Sequence, residues 1–229
     1  MDLAGKTSTG VNIIPMTDEQ KFILDLKGWL LIPGVLNEDE AAAIREHVLT
    51  LRNAPESLDP LDRYPIGGPA EMLLDHPVLV GILNETLAPP VADDCYGFRC
   101  ENSFYMVRSN DETGLKPHGG GMGVGPLFTY QYRHGRIYTG LTRVVWELDA
   151  VGRDDGGTLI MSGTHKMNYP IPAEHTGFDS PLFDRYECPP GSLIVFSEAL
   201  NHAGPTWKNP DHPRVAIFNC YSPAQAQFH

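Results

Sequence analysis

The feature that most constrains this chain is a change of apolar period near Tyr96. Before it, apolar residues recur at helical spacing. After it, short apolar runs are separated by Gly and Pro, as in a string of strands. With 23 Gly and 20 Pro among 229 residues, the composition argues for many turns and against a helical bundle. The pattern predicts a mainly β fold with N-terminal helices: a helical layer over residues 1–95 against an antiparallel barrel or sandwich over 96–229, in one domain spanning 1–229.

Residues 1–16 show no periodicity and predict a loose arm. Thr17-Asp18-Glu19-Gln20 is a capping box opening a helix with Phe22, Ile23 and Leu26 on its buried face, ending near Gly28. Trp29-Leu30-Leu31-Ile32 reads as a short strand stopped by Pro33-Gly34. Asn37-Glu38-Asp39-Glu40 caps a second helix, which buries Ala41, Ile44, Val48 and Leu51. Residues 53–68 read as loop, and 69–87 as one or two short helices interrupted at Pro77. Strands are expected over 98–107, 139–148, 157–161, 192–196 and 214–221. In the second, Thr142, Val144, Trp146 and Leu148 alternate with Leu141, Arg143, Val145 and Glu147, giving two unlike faces.

A formal charge of −12 argues against binding nucleic acid or an anionic membrane, which both need basic surface. The chain has no run of eighteen apolar residues, and its N-terminus lacks signal-peptide character. Cys95, Cys100, Cys188 and Cys220 form no CxxC pair, so free thiols in a cytoplasmic protein are expected, with a Cys95–Cys100 disulfide as the alternative.

Two stretches carry candidate chemistry. His118 sits in Pro117-His118-Gly119-Gly120-Gly121, where glycine lets backbone and ligand approach closely. The other runs from the strand Leu193–Ile194–Val195–Phe196 through Glu198 to His202, with Arg214 at the mouth of the next strand. Imidazole suits iron, and a guanidinium forks onto a carboxylate. Glu198, four residues before His202, is a candidate third ligand, sharing a face with it if the turn is helical. Tyr105, Trp146 and Trp207 are candidate pocket walls, 128–132 a candidate lid, and Arg133, His134 and Arg136 a candidate anion-attracting turn. A zinc hydrolase built on His118, His202 and Glu198, and a metabolite-binding module without iron, remain open alternatives.

Four motifs in order resemble the phytanoyl-CoA dioxygenase family of Fe(II)/2-oxoglutarate-dependent oxygenases. They are Gly28-Trp29-Leu30-Leu31-Ile32-Pro33-Gly34, the segment around His118, Gly156-Gly157-Thr158 leading to Gly163-Thr164-His165-Lys166, and the His202 to Arg214 stretch. The resemblance implies a double-stranded β-helix, a cupin-like jelly roll. It also implies His118 and His202 as iron ligands, Arg214 as the anchor of the distal carboxylate of 2-oxoglutarate, and dioxygen (O2) as co-reactant. His165 and Lys166 match a loop-closing motif and are expected to be structural. The chain departs from the pattern where His-x-Asp or His-x-Glu is usual: Gly120 stands where the acid belongs. That leaves hydroxylation of a small-molecule metabolite with Glu198 as the unusual third ligand, halogenation with chloride in the vacated position, or a non-catalytic binding protein.

Overall fold

The computed structural model describes residues 3, 5–88, 92, 94–109, 112–120 and 129–226. Three helices, α1 (Asp18–Lys27), α2 (Glu38–Asn53) and α3 (Pro77–Thr86), precede most of the strands. The strands are β1 (Trp29–Ile32), β2 (Phe98–Arg108), β3 (Gln131–Arg133), β4 (Arg136–Tyr138), β5 (Thr142–Glu147), β6 (Leu159–Met161), β7 (Ser192–Ser197), β8 (Asn201–Ala203) and β9 (Arg214–Pro223). Five form an antiparallel sheet in the order β1-β7-β5-β9-β2. A smaller sheet pairs β6 with β8 and is widened by single bridges, His118 to His202 and Ile160 to Asp184. Strands β3 and β4 form a hairpin whose two turn residues, His134 and Gly135, both have positive φ, as the twist of a two-residue hairpin demands.

Strand alternation divides the interior. On one face of the large sheet Val144, Trp146, Val195 and Ile217 pack with Ile44, Val48, Leu79 and Leu83 of the helices. On the other, Val145, Ile194, Phe196 and Phe218 pack with Ile160, Leu200 and Trp207, so the second core lies between the two sheets. Each large side chain buried this way contributes about 1.5–3 kcal/mol. Trp146 and Trp207 are fully buried in these cores, and Tyr105 packs against the helical one, so none of the three is a pocket wall.

Both capping boxes form, at Thr17 and at Asn37. The second helix buries the four expected residues, and Pro77 opens α3 at its first turn rather than interrupting a helix. Two short 3-10 turns, Pro55–Ser57 and Pro60–Asp62, lie within the expected loop. Of Phe22, Ile23 and Leu26 only Ile23 packs against the core: Phe22 and Leu26 are exposed, while Leu24 is buried. Lys21 of this helix pairs with Glu85, and the Asp25 carboxylate accepts from the Tyr130 hydroxyl. All four cysteines are free thiols.

The motif after β6 is fastened to the end of α1. Lys166 donates to the Asp25 carbonyl at 2.7 Å, and the buried His165 ring places Nε2 3.2 Å from the same oxygen. Gly28, the left-handed cap of α1 (φ +83°), lies directly beneath that ring, and a Cβ there would fall 2.4 Å from His165 Nδ1. His165 is therefore structural. Burial lowers its pKa from 6.5 to about 4. Between those values the unfolded chain binds a proton that the native state refuses, so this stability is complete above pH 6.5 and lost as pH falls towards 4. The loss is about 3 kcal/mol at most. Urea midpoints at about pH 7.5 and about pH 4 should show this drop in the wild type, with a clearly smaller one in His165→Asn.

Candidate active site

The two candidate ligands meet as a cross-strand pair. His118 and His202 exchange backbone hydrogen bonds of 3.0 and 2.9 Å, and their ring centroids are 4.2 Å apart. Each Nδ1 faces a carbonyl oxygen, His118 that of Lys116 at 2.7 Å and His202 that of Leu200 at 2.9 Å. A carbonyl only accepts, so each Nδ1 carries the proton and each Nε2 keeps its lone pair. Burial lowers the pKa of His202, with Glu198 opposing, which favours the neutral ligating form. Gly119 permits this approach: at φ +82° it passes so close to β8 that a Cβ would lie 2.2 Å from the Leu200 carbonyl.

Both rings line a cavity of about 400 Å³ between the sheets, with Phe104, Phe196 and Phe218 among its apolar walls. Arg214 and Arg143 also line it. The register places Arg143 opposite Cys220, six residues along β9 from Arg214, so the two cations enter from opposite ends.

Arg214 is 1% exposed and is not the surface partner of Asp211 that its neighbours in sequence suggest. Its Nε donates to Glu147 Oε2 at 3.1 Å and its Nη2 to Glu147 Oε1, Thr158 Oγ1 and the Tyr186 hydroxyl. Burial alone would lower its pKa, but the Glu147 carboxylate and Tyr186 raise it above the usual arginine value. Nη1 is buried without a partner among the described residues. Directly across the strand pair sits a second buried cation, Arg108, whose pKa is lowered to about 10 by burial and then by Arg214. One carboxylate, Glu147, faces two guanidiniums. An orphaned donor and a spare positive charge fit a carboxylate ligand.

Glu198 does reach His202, though not on a helix: the chain turns after β7 and re-enters as β8, leaving Glu198 Oε2 3.7 Å from His202 Nε2. Its other oxygen accepts from Arg143 Nε at 2.5 Å. Among the described residues no three His, Cys, Asp or Glu side chains converge into a ready-made metal cage. Gly120 offers no route to one, since a Cβ there would run towards Met167 Cε at 2.8 Å and Ile171, neither of which lines the cavity.

Glu147 and Arg143 were missed as site residues by the sequence reading. The signal was the partly polar face of β5, which turns inward. Arg133, His134 and Arg136 lie on the β3–β4 hairpin, and Arg136 bonds the Asn84 carbonyl; none lines the cavity. Of the expected lid, Phe128 is outside the described residues; Tyr130 bonds α1 and Gln131 begins β3.

Two facing antiparallel sheets with a histidine-lined cavity between them define the class: a cupin-like double-stranded β-helix. Solved structures share it. HygX from Streptomyces hygroscopicus with nickel and 2-oxoglutarate bound aligns at TM-score 0.75 and 22% identity, over 93% of this chain and 89% of that one. HygX carrying nickel, 2-oxoglutarate and hygromycin B aligns at TM-score 0.73 and 24% identity, over the same shares. SnoK, a non-heme alpha ketoglutarate dependent carbocyclase from nogalamycin biosynthesis, aligns at TM-score 0.65 and 16% identity, over 91% of this chain and 85% of that one. No family model matches the chain, and no curated protein does either. The phytanoyl-CoA dioxygenase resemblance rests on its motifs alone. Among the described residues no helix is long and apolar enough to cross a membrane.

Proposed function

We propose that the chain is an Fe(II)/2-oxoglutarate-dependent oxidative enzyme that hydroxylates an aliphatic C–H of a small-molecule metabolite. The observation that carries this is the pairing, in one cavity, of two Nε2 lone pairs with the unpartnered Nη1 of Arg214. His118 and His202 hold the metal, and the Lys116 and Leu200 carbonyls orient their rings as outer-shell partners do. Arg214, with Thr158 beside it, takes the distal carboxylate of 2-oxoglutarate. When bound, iron with 2-oxoglutarate and O2 supplies the oxidising power for C–H cleavage. Phe196 and Phe218 keep water from the metal position. Glu198 is the nearest carboxylate and is our candidate third ligand, steadied through its other oxygen by Arg143. Solved relatives in fold that bind 2-oxoglutarate and a small-molecule substrate support the reading.

One observation favours a second reading. Gly120, in the His118-Gly119-Gly120 segment, carries no acid. A third position filled from solvent by chloride would make the enzyme a halogenase.

Anaerobic addition of Fe(II) and 2-oxoglutarate should raise a visible metal-to-ligand charge-transfer band. His202→Ala should abolish it, and Arg214→Lys should weaken 2-oxoglutarate binding about tenfold, because an ammonium lacks the guanidinium fork. A band insensitive to chloride but altered by Glu198→Gln supports the hydroxylase; a chloride-dependent band untouched by Glu198→Gln supports the halogenase. A folded protein with no band sinks both and leaves a metabolite-binding jelly roll.

A further inference from the structure

We infer that Arg143 and Asn102 form the anchor for a carboxylate on the organic substrate, whose apolar skeleton rests on Phe104. The inference depends on the 2-oxoglutarate reading above and names the substrate class for that site.

Arg143 projects from the inward face of β5, where its neighbour Val145 packs into the core between the sheets. Its side chain is only 16% exposed, yet its donors are not all used. Nε bonds Glu198, and Nη1 donates to Asn102 Oδ1 at 3.3 Å. Nη2 has no hydrogen-bond partner among the described residues. Because arginine only donates, Asn102 must present its oxygen to Arg143 and keep its amide N–H groups for another acceptor. Two sets of N–H donors therefore stand unclaimed, those of Arg143 in the cavity wall and those of the exposed Asn102 beside it. A carboxylate accepts such a fork, and a neutral hydroxyl cannot match it.

The surface beside these donors is apolar and planar. Phe104 is 41% exposed although it lines the cavity, and it stacks on Phe218 with centroids 5.0 Å apart and planes 4° apart. The Arg143 guanidinium sits 5.4 Å from the Phe104 ring centroid. An open aromatic face under a cation suits a substrate whose ring or aliphatic skeleton adjoins an acid.

Charge points the same way. At the far end Arg108 and Arg214 outnumber the one buried carboxylate, Glu147, by one, with the exposed Glu112 near Arg108, and the distal carboxylate of 2-oxoglutarate adds the balancing buried charge. Arg143 and Glu198 cancel each other. A divalent metal on two neutral imidazoles then faces only the second carboxylate of 2-oxoglutarate, leaving one positive charge beside Arg143. A monoanionic substrate completes the balance inside a chain whose formal charge of −12 repels anions elsewhere. Glu198 alone separates Arg143 from His202, so anchoring there would present a carbon a few bonds from the acid group to the metal.

The test uses Ni(II), which binds without turnover, and reads binding by calorimetry on the Ni(II)/2-oxoglutarate protein. The probes are phenylacetate and cyclohexanecarboxylate, with their neutral amides as controls. The acids should bind about tenfold or more tightly than the amides, and Arg143→Gln, saturated with Ni(II) and 2-oxoglutarate, should erase that preference. If Arg143→Gln fails to fold because Glu198 loses its partner, Asn102→Asp at the exposed strand edge serves instead. It should weaken the acids about tenfold and spare the amides. Amides binding as well as acids would overturn the inference, as would unchanged acid affinity in the variants. Full displacement of the acids by excess chloride would also overturn it, by making this a halide site. Wild-type protein that takes up neither Ni(II) nor 2-oxoglutarate would instead sink the functional reading beneath it.

Discussion

Glu147→Gln is expected to cost about 3–5 kcal/mol of stability, because it strands the Arg214 charge in the core. Glu147 is fully buried and accepts from Arg214 through both oxygens and from the Tyr186 hydroxyl at 2.6 Å. Glutamine keeps the shape but turns a donor towards a donor, and Arg108 across the strand pair then adds a second unbalanced charge. For a chain of this size the melting temperature should fall by about 6–20 °C. The double variant Glu147→Leu/Arg214→Met removes both charges, and a buried pair replaced by apolar groups of similar volume is often neutral or stabilising. It should recover the part of the loss due to Arg214, not the part due to Arg108, which stays buried without its carboxylate, and it should no longer bind 2-oxoglutarate if Arg214 is the proposed anchor. If the single variant melts within about 2 °C of the wild type, the pair is not the structural unit described here.

That pair shows where the sequence was readable and where it was not. Local chemistry was legible: the capping residues Thr17 and Asn37, the apolar runs of β7 and β9, and glycine beside His118 each signal through neighbours only a few positions away. His118, His202 and Arg214 could be placed in one cavity because motif order carried the topology with it. Partners that meet only across strands were illegible. Glu147 and Arg143 looked like a half-polar surface, since a buried carboxylate reads as an exposed one until the strand facing it is known. The face of α1 was illegible for a related reason: in ten residues the side that meets the core, Leu24 with Ile23 beside it, is set by the elements packed against the helix. The Glu198–His202 contact was anticipated for the wrong cause, because a tight turn and a returning strand can produce the same spacing as a helix.

Gly119→Ala should lower metal affinity about 10–100-fold, since it disturbs both proposed ligands, His118 and His202, through their outer shell. The added Cβ would meet the Leu200 carbonyl at 2.2 Å and the Glu198 carbonyl at 3.1 Å, both backbone atoms that no rotamer change can clear. Relief needs either the His118 segment to lift off β8 or the Leu200 carbonyl to move. The first breaks the backbone bridge that sets the imidazole pair, and the second removes the acceptor that fixes the His202 tautomer. A left-handed alanine adds about 1–2 kcal/mol of backbone cost, which could by itself weaken any property of the chain. Gly163→Ala isolates that cost, because Gly163 has φ +83° with nothing within 4 Å of an added Cβ. Titration with Ni(II) should therefore separate them: Gly163→Ala loses stability but binds metal as the wild type does, whereas Gly119→Ala loses both. Equal metal affinity in the two variants would mean that close approach at Gly119 does not hold the histidines in place, and that the His118–His202 pair is positioned by the sheet alone.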